Sequence, residues 1–298
     1  EVQAAGDRVS VMRAGRMVLA GLPAAGLQGA ELARAMMGEA PPTSGRSPHE
    51  PGAVRLAVDG LAVRRADGAP AVVDTSFRLR GGEILGVAGV GGNGQQELAD
   101  ALVGLMPAEG GSIVLEGRDV TGWPVWPRRR LGLRYVPSDR AHLGLAGDLS
   151  VADNLALSTV RAGRFGRLLV AGRAMQRAAT AAIAAFGIAG ATPKREARLL
   201  SGGNAQKLVL ARELQDGAAV VVAHSPTRGL DVAACAFVHA VLDRAAAAGA
   251  AILLISEDLE EILALSDRVL VMSRGRIVGE RGRATSRQEI GGLMLGHA

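Results

Sequence analysis

The 298-residue sequence contains one cysteine, Cys235, and only 2% of its residues are aromatic. A single cysteine excludes a disulfide within the chain and suits a reducing cytoplasm. The scarcity of aromatic residues argues against nucleic-acid binding by base stacking, although the net charge is +5 and the pI is about 10.4. No apolar run reaches the roughly 20 residues that a membrane-spanning helix needs. We therefore expect no part of the chain to span a membrane.

Two further groups of residues could be mistaken for binding sites. His224, Cys235 and His239 offer three potential metal ligands, but their pattern does not match a zinc site, and no metal site is predicted. Arg128-Arg129-Arg130 is a short basic run, which we interpret as a solvated face. Neither group therefore indicates a function.

A glycine-rich segment, Gly89–Gln96, has the spacing of a phosphate-binding P-loop. It follows the apolar run Ile84–Ala88 and precedes Glu97–Leu102, which reads as a helix. In a strand–turn–helix unit, glycines let backbone N–H groups converge on a phosphate at the helix N-terminus. The alternative is an ordinary tight turn between a strand and a helix. The candidate nucleotide-binding residues are Gly89, Gly92, Asn93, Gly94, Gln95 and Gln96.

Three more motifs follow in order along the chain. Ser201–Gln206 opens an apolar, helix-like segment, and its small residues leave backbone amides and a hydroxyl free to bind an anion. The alternative for this motif is a glycine-containing helix cap. The apolar run Val220–Ala223 leads into His224–Asp231, and a second apolar run, Ala251–Ile255, precedes Glu257. Strands that alternate with helices in this way predict a mainly parallel sheet.

The order of these motifs resembles that of the ATP-binding subunits of ABC transporters, over essentially the whole chain. The resemblance implies an α/β fold, in which a P-loop core carries an antiparallel β subdomain and an inserted helical subdomain at about residues 140–200. Leu200–Gln206 matches the signature motif of the family, Val220–Ser225 its Walker B strand and Asp231 its D-loop. Glu257 stands at the position of the family's switch histidine.

The sequence departs from the family pattern at the positions that the resemblance implies for catalysis. Gln95 replaces the P-loop lysine, and Gln96 replaces the hydroxyl residue that would bind Mg²⁺. His224 replaces an aspartate, although Mg²⁺ prefers oxygen ligands. Ser225 replaces the carboxylate that would polarise the attacking water, and a serine cannot act as a general base near neutral pH. Because Glu257 would also repel the γ-phosphate, we expect the chain alone not to hydrolyse ATP.

The signature motif of the chain matches the family pattern. This match implies a role in ATP hydrolysis that does not depend on the chain's own P-loop. In this family, two nucleotide-binding domains pair head to tail, and each ATP lies between one domain's P-loop and the other's signature. The resemblance therefore implies that the chain completes the ATP site of a partner domain, with ATP and Mg²⁺ bound mainly there. The residues implied to contact this ATP are Ser201, Gly202, Gly203, Asn204 and Gln206.

A long internal repeat favours a partner domain in the same polypeptide, although a second copy of the chain is the other option. Asp7–Val18 is similar to Asp267–Val278 at an offset of 260 residues, and Glu31–Gly38 is similar to Glu289–Gly296 at an offset of 258. Two blocks at nearly the same offset indicate duplication. We predict three segments: the C-terminal remnant of a preceding nucleotide-binding domain at 1–40, a linker at 41–53 and an ABC nucleotide-binding domain at 54–298.

Finer features resemble the second half of tandem importer ATPases for simple sugars and nucleosides. These features are the glutamines of the P-loop, the segment Tyr135–Arg140 and the signature through Lys207. Ser138 stands near the sensing loop of the family, which also contacts the membrane subunit. The resemblance implies import of nucleosides, with ribose-type sugars as the runner-up, at the cytoplasmic face of the cell membrane. The implied partners are permease subunits, expected to dock near Arg140–Asp153, and indirectly a solute-binding protein.

Two other functions are alternatives at this point. A tandem ABC protein that acts on ribosomes or DNA would share the signature, but it should carry intact catalytic motifs and a basic arm or a zinc insertion. A nucleotide-free structural protein would carry a signature that contacts nothing. The intact Ser201–Gly203 disfavours the structural protein, and the replaced catalytic positions disfavour the ribosome or DNA protein.

Overall fold

The computed structural model describes residues 6–13, 16–27, 31–32, 35, 51–159, 163–165, 171–214 and 217–294. Most of the predicted linker, residues 41–50, lies outside the described residues, as does part of the predicted remnant at 1–40.

A six-stranded sheet forms the centre of the structure. In spatial order its strands are β12 (Arg276–Gly282), β11 (Arg268–Ser273), β5 (Ile84–Ala88), β10 (Ala251–Ser256), β9 (Val220–His224) and β8 (Leu133–Val136). All neighbouring strands are parallel except β11 and β12. β5, β9 and β10 are buried along their whole length, as expected for parallel strands that are covered on both faces. The prediction of a mainly parallel sheet is confirmed.

The register of the three central strands brings their carboxyl ends together. Ser256 lies opposite Ala88, and Ile255 lies opposite His224. Each strand is followed directly by one of the segments that the sequence singles out: the glycine-rich loop, Ser225 and Glu257. In open parallel sheets, ligands bind outside this edge. The sheet therefore gathers three segments that are far apart in the sequence.

A second, antiparallel sheet covers one side of the molecule. Its strands, in spatial order, are β4 (Pro70–Arg80), β3 (Val54–Arg64), β6 (Gly110–Leu115) and β7 (Arg118–Asp119). Helix α1 (Gln95–Val103) packs against both sheets, because its Leu98 and Leu102 belong to one apolar cluster with Leu61 of β3 and Val222 of β9. The antiparallel subdomain that the resemblance implied is present.

Seven further α-helices follow in the described part of the chain, together with the π-helical turn Arg140–Gly144 and the 3₁₀ turn Ala197–Leu199. The α-helices are α2 (Val125–Arg130), α3 (Val151–Ala156), α4 (Gly172–Ala185), α5 (Gly202–Leu214), α6 (Val232–Ala247), α7 (Leu259–Leu265) and α8 (Arg287–Met294). Among the described residues, no helix is both long and apolar enough to cross a bilayer.

The helical subdomain has an apolar cluster of its own. Leu155 of α3, Ala179 of α4 and Leu208 of α5 belong to this cluster. Ser150 caps α3, since its Oγ accepts a hydrogen bond from the Asp153 N–H at 3.1 Å. The signature helix α5 thus contributes to the core of the subdomain, which reaches beyond the predicted boundary at residue 200.

Strands β1 (Arg8–Arg13) and β2 (Arg16–Pro23) form a separate two-stranded antiparallel sheet, the first of two similar hairpins. Its pairs Val11–Leu19 and Met12–Met17 correspond, at the offset of 260 residues, to the pairs Val271–Gly279 and Met272–Ile277 of β11 and β12. Both hairpins also shift their register at the same place, between the valine and the methionine. The repeated sequence thus folds into the same local structure twice.

The two hairpins also bury equivalent residues. Val9, Val11, Leu32 and Ala35 pack in one small cluster. The residues at the offsets of 260 and 258 are Val269, Val271, Ile290 and Leu293, which pack together in the central domain. The opposite faces differ, because Met12 is 67% exposed whereas Met272 is fully buried.

The structure corrects the interpretation of Arg128-Arg129-Arg130 as a solvated face. Arg128 is only 1% exposed, and its guanidinium donates hydrogen bonds of 2.7–3.0 Å to four backbone carbonyls. Two of these carbonyls, at Ala101 and Leu102, belong to the last turn of α1, which has no basic residue of its own. Arg128 therefore caps the C-terminus of a helix that is distant in sequence. Burial lowers the pKa of its guanidinium below the ordinary value.

We predict that Arg128→Met lowers the free energy of unfolding by about 2–4 kcal/mol, because four buried carbonyls lose their donor. Arg130→Met is the matched control, since Arg130 is exposed on the same helix, and its effect should stay within about 0.5 kcal/mol. Urea denaturation of the two variants measures the difference. Equal stabilities would show that Arg128 does not hold α1 in this way.

Candidate nucleotide site

The glycine-rich loop joins β5 to α1 at the carboxyl edge of the central sheet. Gly94 has a φ of 104°, and its carbonyl accepts a hydrogen bond from the Leu98 N–H at 2.9 Å. A β-carbon at Gly94 would collide with the carbonyl oxygen of Ala71, so that the loop requires glycine there. Asn93 anchors the loop, since its Oδ1 accepts from the Arg274 N–H at 2.8 Å. The loop is therefore fixed between the two sheets.

The two glutamines that replace the lysine and the hydroxyl residue are engaged within the protein. Gln95 is 5% exposed, and its Nε2 donates to the carbonyl of Val90 at 2.9 Å. Gln96 Nε2 lies 2.9 Å from both carboxylate oxygens of Asp100. Gln96 Oε1 accepts a long hydrogen bond from Ser138 Oγ at 3.5 Å. The structure thus brings the predicted sensing residue Ser138 next to the loop.

His224 ends β9 in a buried position, with 7% of its surface exposed. Among the residues that the structure describes, none forms a hydrogen bond with His224 Nδ1. Burial, and to a smaller extent the charge of Arg228, lowers the pKa of His224 to about 4. The imidazole is therefore neutral at pH 7, and the nitrogen that it could offer to a metal is uncharged.

Ser225 and Glu257 complete the predicted catalytic positions. Ser225 has a left-handed backbone with φ 43°, which is uncommon for a residue with a side chain. Its N–H donates to the carbonyl of Ile255 at 2.7 Å, so that β10 fixes this conformation. Glu257 lies over the glycine-rich loop, since a β-carbon at Gly91 would be 2.7 Å from Glu257 Oε1. A carboxylate therefore lies beside the loop that the sequence predicts to bind phosphate.

The donor set at this edge fits MgATP poorly. Mg²⁺ prefers hard oxygen ligands, whereas His224 offers a neutral nitrogen and the Gln96 amide is bonded to Asp100 and Ser138. No cation stands at residue 95, and the carboxylate of Glu257 is adjacent to the loop. The backbone of a P-loop is present, but its side chains do not provide the charges that this anion and this metal need.

The signature residues lie at the start of α5. Ser201 is exposed, and its Oγ accepts a hydrogen bond from Asn204 Nδ2 at 2.9 Å. The orientation of Asn204 is set because its Oδ1 accepts from the Ala189 N–H at 2.8 Å. Gln206, by contrast, is 2% exposed and faces the interior, away from Ser201.

Asp231 lies close to this helix start rather than to the glycine-rich loop. Its Oδ1 accepts a hydrogen bond from the Ala234 N–H at 2.8 Å and so caps α6. A β-carbon at Gly203 would lie 3.2 Å from Ala234 Cβ, so that the first turns of α5 and α6 are neighbours. The predicted site residues therefore form two groups: one at the sheet edge, and one at the starts of α5 and α6.

Sequence reasoning missed a buried polar cluster beside the second group. Glu261 is 2% exposed and accepts hydrogen bonds from Thr227 Oγ1 at 2.8 Å and from the His239 ring at 3.3 Å. Burial raises the pKa of the nearby Cys235 thiol. The only sequence signal is a glutamate at an apolar position of α7. The contact gives the His239 ring a carboxylate partner within the protein.

Comparison with known proteins agrees with the motifs. A family model described as ABC transporter matches residues 72–228. The ribose import ATP-binding protein RbsA 1 of Rubrobacter xylanophilus is 41% identical over 97% of the chain, and the guanosine import ATP-binding protein NupO of Bacillus subtilis is 37% identical over 97%. The chain spans 57% of the length of each of these relatives.

Solved structures show the same fold at low sequence identity. A dimeric ATP-binding cassette in a post-hydrolysis state with ADP and Pi has a TM-score of 0.67 at 16% identity, covering 78% of this chain and all of that one. The ATP-binding subunit of an ABC transporter also has a TM-score of 0.67, at 20% identity, and covers 81% of this chain and 99% of that one. The predicted α/β fold of an ABC-type nucleotide-binding domain is confirmed.

We predict that the neutral His224 makes stability depend on pH. Its pKa in the folded protein, about 4, is below the ordinary value of 6.5, so that only the unfolded chain binds the proton between these values. Stability is therefore lost as the pH falls from 6.5 to 4, by about 3 kcal/mol from this group. His224→Gln should lose less stability over the same window in urea denaturation at each pH. An unchanged pH dependence in His224→Gln would contradict the assignment.

Proposed function

The chain belongs to the ABC transporter family, and from this premise we propose that it is one nucleotide-binding half of an importer ATPase. Its signature completes the ATP site of a partner half, whereas its own P-loop does not hydrolyse ATP. The observation that carries the proposal is a contrast between two surfaces. Ser201 is exposed at the start of α5, whereas the P-loop edge contains a buried, neutral His224 and has the carboxylate of Glu257 next to the loop.

At the partner's site, the start of α5 supplies donors for a phosphate. The first N–H groups of a helix have no intrahelical acceptor, and the helix dipole favours an anion there. Because Ser201 Oγ accepts its bond from Asn204, its own O–H remains available as a donor. MgATP held by the partner's P-loop supplies the phosphoanhydride bond that is cleaved. Ser201, Gly202 and Gly203 orient its γ-phosphate, which positions the transition state rather than activating the water.

The chain's own P-loop site lacks the groups that hydrolysis requires. Ser225 cannot serve as a general base near neutral pH, and its backbone is fixed by β10. Gln95 cannot neutralise phosphate charge, since a glutamine side chain is uncharged and its amide donates to Val90. These features support a site that contributes little or nothing to turnover, so that the chain alone releases negligible phosphate.

The repeated hairpin supports a partner half of the same kind. In the central domain, β11 pairs on one edge with β12 and on the other with the P-loop strand β5. The equivalent strand β1 pairs with β2 alone among the described residues. Its outward face carries the exposed Met12, at the position where Met272 is buried. We infer that residues 1–40 belong to a preceding nucleotide-binding domain and that residues 41–53 link it to the domain at 54–298.

The transported substrate is proposed from the relatives, one of which is named for ribose import and another for guanosine import. We propose that the complete protein powers uptake of a nucleoside or a simple sugar at the cytoplasmic face of the cell membrane, together with permease subunits and a solute-binding protein. The same relatives favour import over a role at ribosomes or on DNA.

The permease is proposed to dock on the surface around the segment Arg140–Asp153. Two depressions flank this segment: one of about 240 Å³ is lined partly by Leu105 and Leu143, and one of about 760 Å³ partly by Leu149. Leu105 and Leu143 are 56% and 59% exposed. Exposed leucines beside a depression suit the apolar face of a helix, such as a cytoplasmic helix of the permease.

We predict that Ser201→Arg lowers ATP turnover of the complete ATP-binding protein by at least about a hundredfold, because a bulky cation blocks the approach of the partner's nucleotide. The control is Ser225→Asn, which alters the chain's own site with a residue that tolerates the left-handed backbone. Turnover in the control should stay within about twofold of the unmodified protein. Phosphate release measures both variants. Loss of turnover in Ser225→Asn with full activity in Ser201→Arg would reverse the proposed roles.

The docking surface is tested by disulfide crosslinking in the assembled transporter, in a Cys235→Ser background. We predict that a cysteine at Leu143 crosslinks to cysteines in the permease's cytoplasmic loops, because the exposed leucine lies on the proposed contact surface. A cysteine at Val232 is the control, since Val232 is 62% exposed but lies at the start of α6. Crosslinks at Val232 without any at Leu143 would place the permease on another surface.

A further inference from the structure

Arg140 contacts the loop that leads from β9 to Asp231. It begins the π-helical turn after Ser138, and its Nη1 donates to the carbonyl of Arg228 at 2.6 Å. Its Nη2 lies 3.5 Å from the carbonyl oxygen of Gly229. Asp139 fixes the turn, because its Oδ1 accepts hydrogen bonds from the N–H groups of Ala141 and His142. The guanidinium is therefore held on the loop that leads from β9 to Asp231.

The same guanidinium packs against the start of the signature helix. A β-carbon at Gly202 would lie 2.9 Å from Arg140 Nη2 and 3.6 Å from its Cζ. Gly202 does not have a left-handed backbone, and a side chain there would have to displace the Arg140 guanidinium. One side chain thus contacts both α5 and the loop before Asp231.

Local helix stability does not explain this arrangement. A cation beside a helix N-terminus gains nothing from the helix dipole, which favours anions at that end. Among the described residues, no carboxylate lies within ion-pair distance of Arg140. Arg140 contacts two backbone carbonyls and one glycine. The carbonyls lie in the loop that leads to Asp231, and the glycine, Gly202, follows Ser201 in the predicted signature.

We propose that Arg140 is a positioning residue, which fixes the signature Ser201–Gly203 relative to Asp231 and so sets the geometry in which the chain meets the partner's ATP. This inference rests on the proposed function. A guanidinium suits the task because its planar fork bonds to two acceptors at once, whereas an ammonium is a single compact charge. In this proposal Arg140 acts through the signature, because its guanidinium donors are directed at the carbonyls of Arg228 and Gly229.

The first test measures kcat and KM for ATP in the complete protein. We expect Arg140→Gln to lower kcat about tenfold with KM within about threefold, since a misplaced signature affects the transition state more than binding. Arg140→Lys should give an intermediate kcat, because an ammonium can bond to one carbonyl but cannot span both segments. The control is Arg195→Gln: Arg195 also donates to two backbone carbonyls, those of Gly190 and Leu199, but within the helical subdomain alone.

The outcomes separate this inference from the proposed function. If Ser201→Arg abolishes turnover but Arg140→Gln matches Arg195→Gln, Arg140 does not position the signature and the inference is wrong. If Ser201→Arg leaves turnover unchanged, the proposed function fails, and this inference fails with it. A tenfold loss in Arg140→Gln with an intermediate Arg140→Lys supports the inference.

A second test uses thermal stability and does not depend on ATP hydrolysis. Gly202→Ala should change Tm less favourably in the unmodified protein than in the Arg140→Gln background, because the new methyl group has to displace the Arg140 guanidinium from its two carbonyls. In the Arg140→Gln background this displacement is absent, and alanine favours helix over glycine. The same change of Tm in both backgrounds would show that Arg140 does not lie on Gly202 in solution and would overturn the inference.

Discussion

The parallel register of β5, β10 and β9 is the constraint on which the rest of the structure depends. These strands are buried on both faces, and a slip of one residue would exchange the sides on which their apolar residues lie. The register aligns Ala88, Ser256 and the end of β9 at one edge. The glycine-rich loop, His224, Ser225 and Glu257 meet there only because of this alignment.

At that edge, the two glutamines are hydrogen-bonded within the protein and carry no charge, and the side chain of Glu257 beside the loop is a carboxylate instead of a cation. Gln95 donates to its own loop, and Gln96 bonds to Asp100 and Ser138. His224 is the exception, because its Nδ1 has no partner among the described residues and its pKa is lowered by burial. Closed hydrogen bonding of this kind stabilises a fold, but it leaves few groups free to bind an anion or a metal. The start of α5 has the opposite character, with an exposed hydroxyl and free helix N–H groups.

The two hairpins have similar sequences but different surroundings. β1–β2 and β11–β12 share three equivalent residue pairs, one register shift between a valine and a methionine, and a valine–apolar cluster on one face, whereas β1–β2 has a second shift between Val9 and Val11. On the other face, Met272 lies in the main core, whereas Met12 is exposed. Local pairing is therefore encoded in the repeat itself, but burial of the second face depends on what packs against it.

The sequence by itself determined the strands, the order of the motifs and the family, because these features depend on apolar runs and on short spacings between residues. Only the tertiary structure decided that Arg128 is buried, that Gln206 faces the interior and that Arg140 joins the signature to the loop before Asp231. Arg140 and Arg228 are 88 residues apart, and Arg128 reaches the end of a helix 26 or 27 residues earlier. The sequence around an arginine does not indicate which distant backbone carbonyls its guanidinium will bond to. Its partners are fixed only when the packing of apolar strands and helices brings distant backbone together.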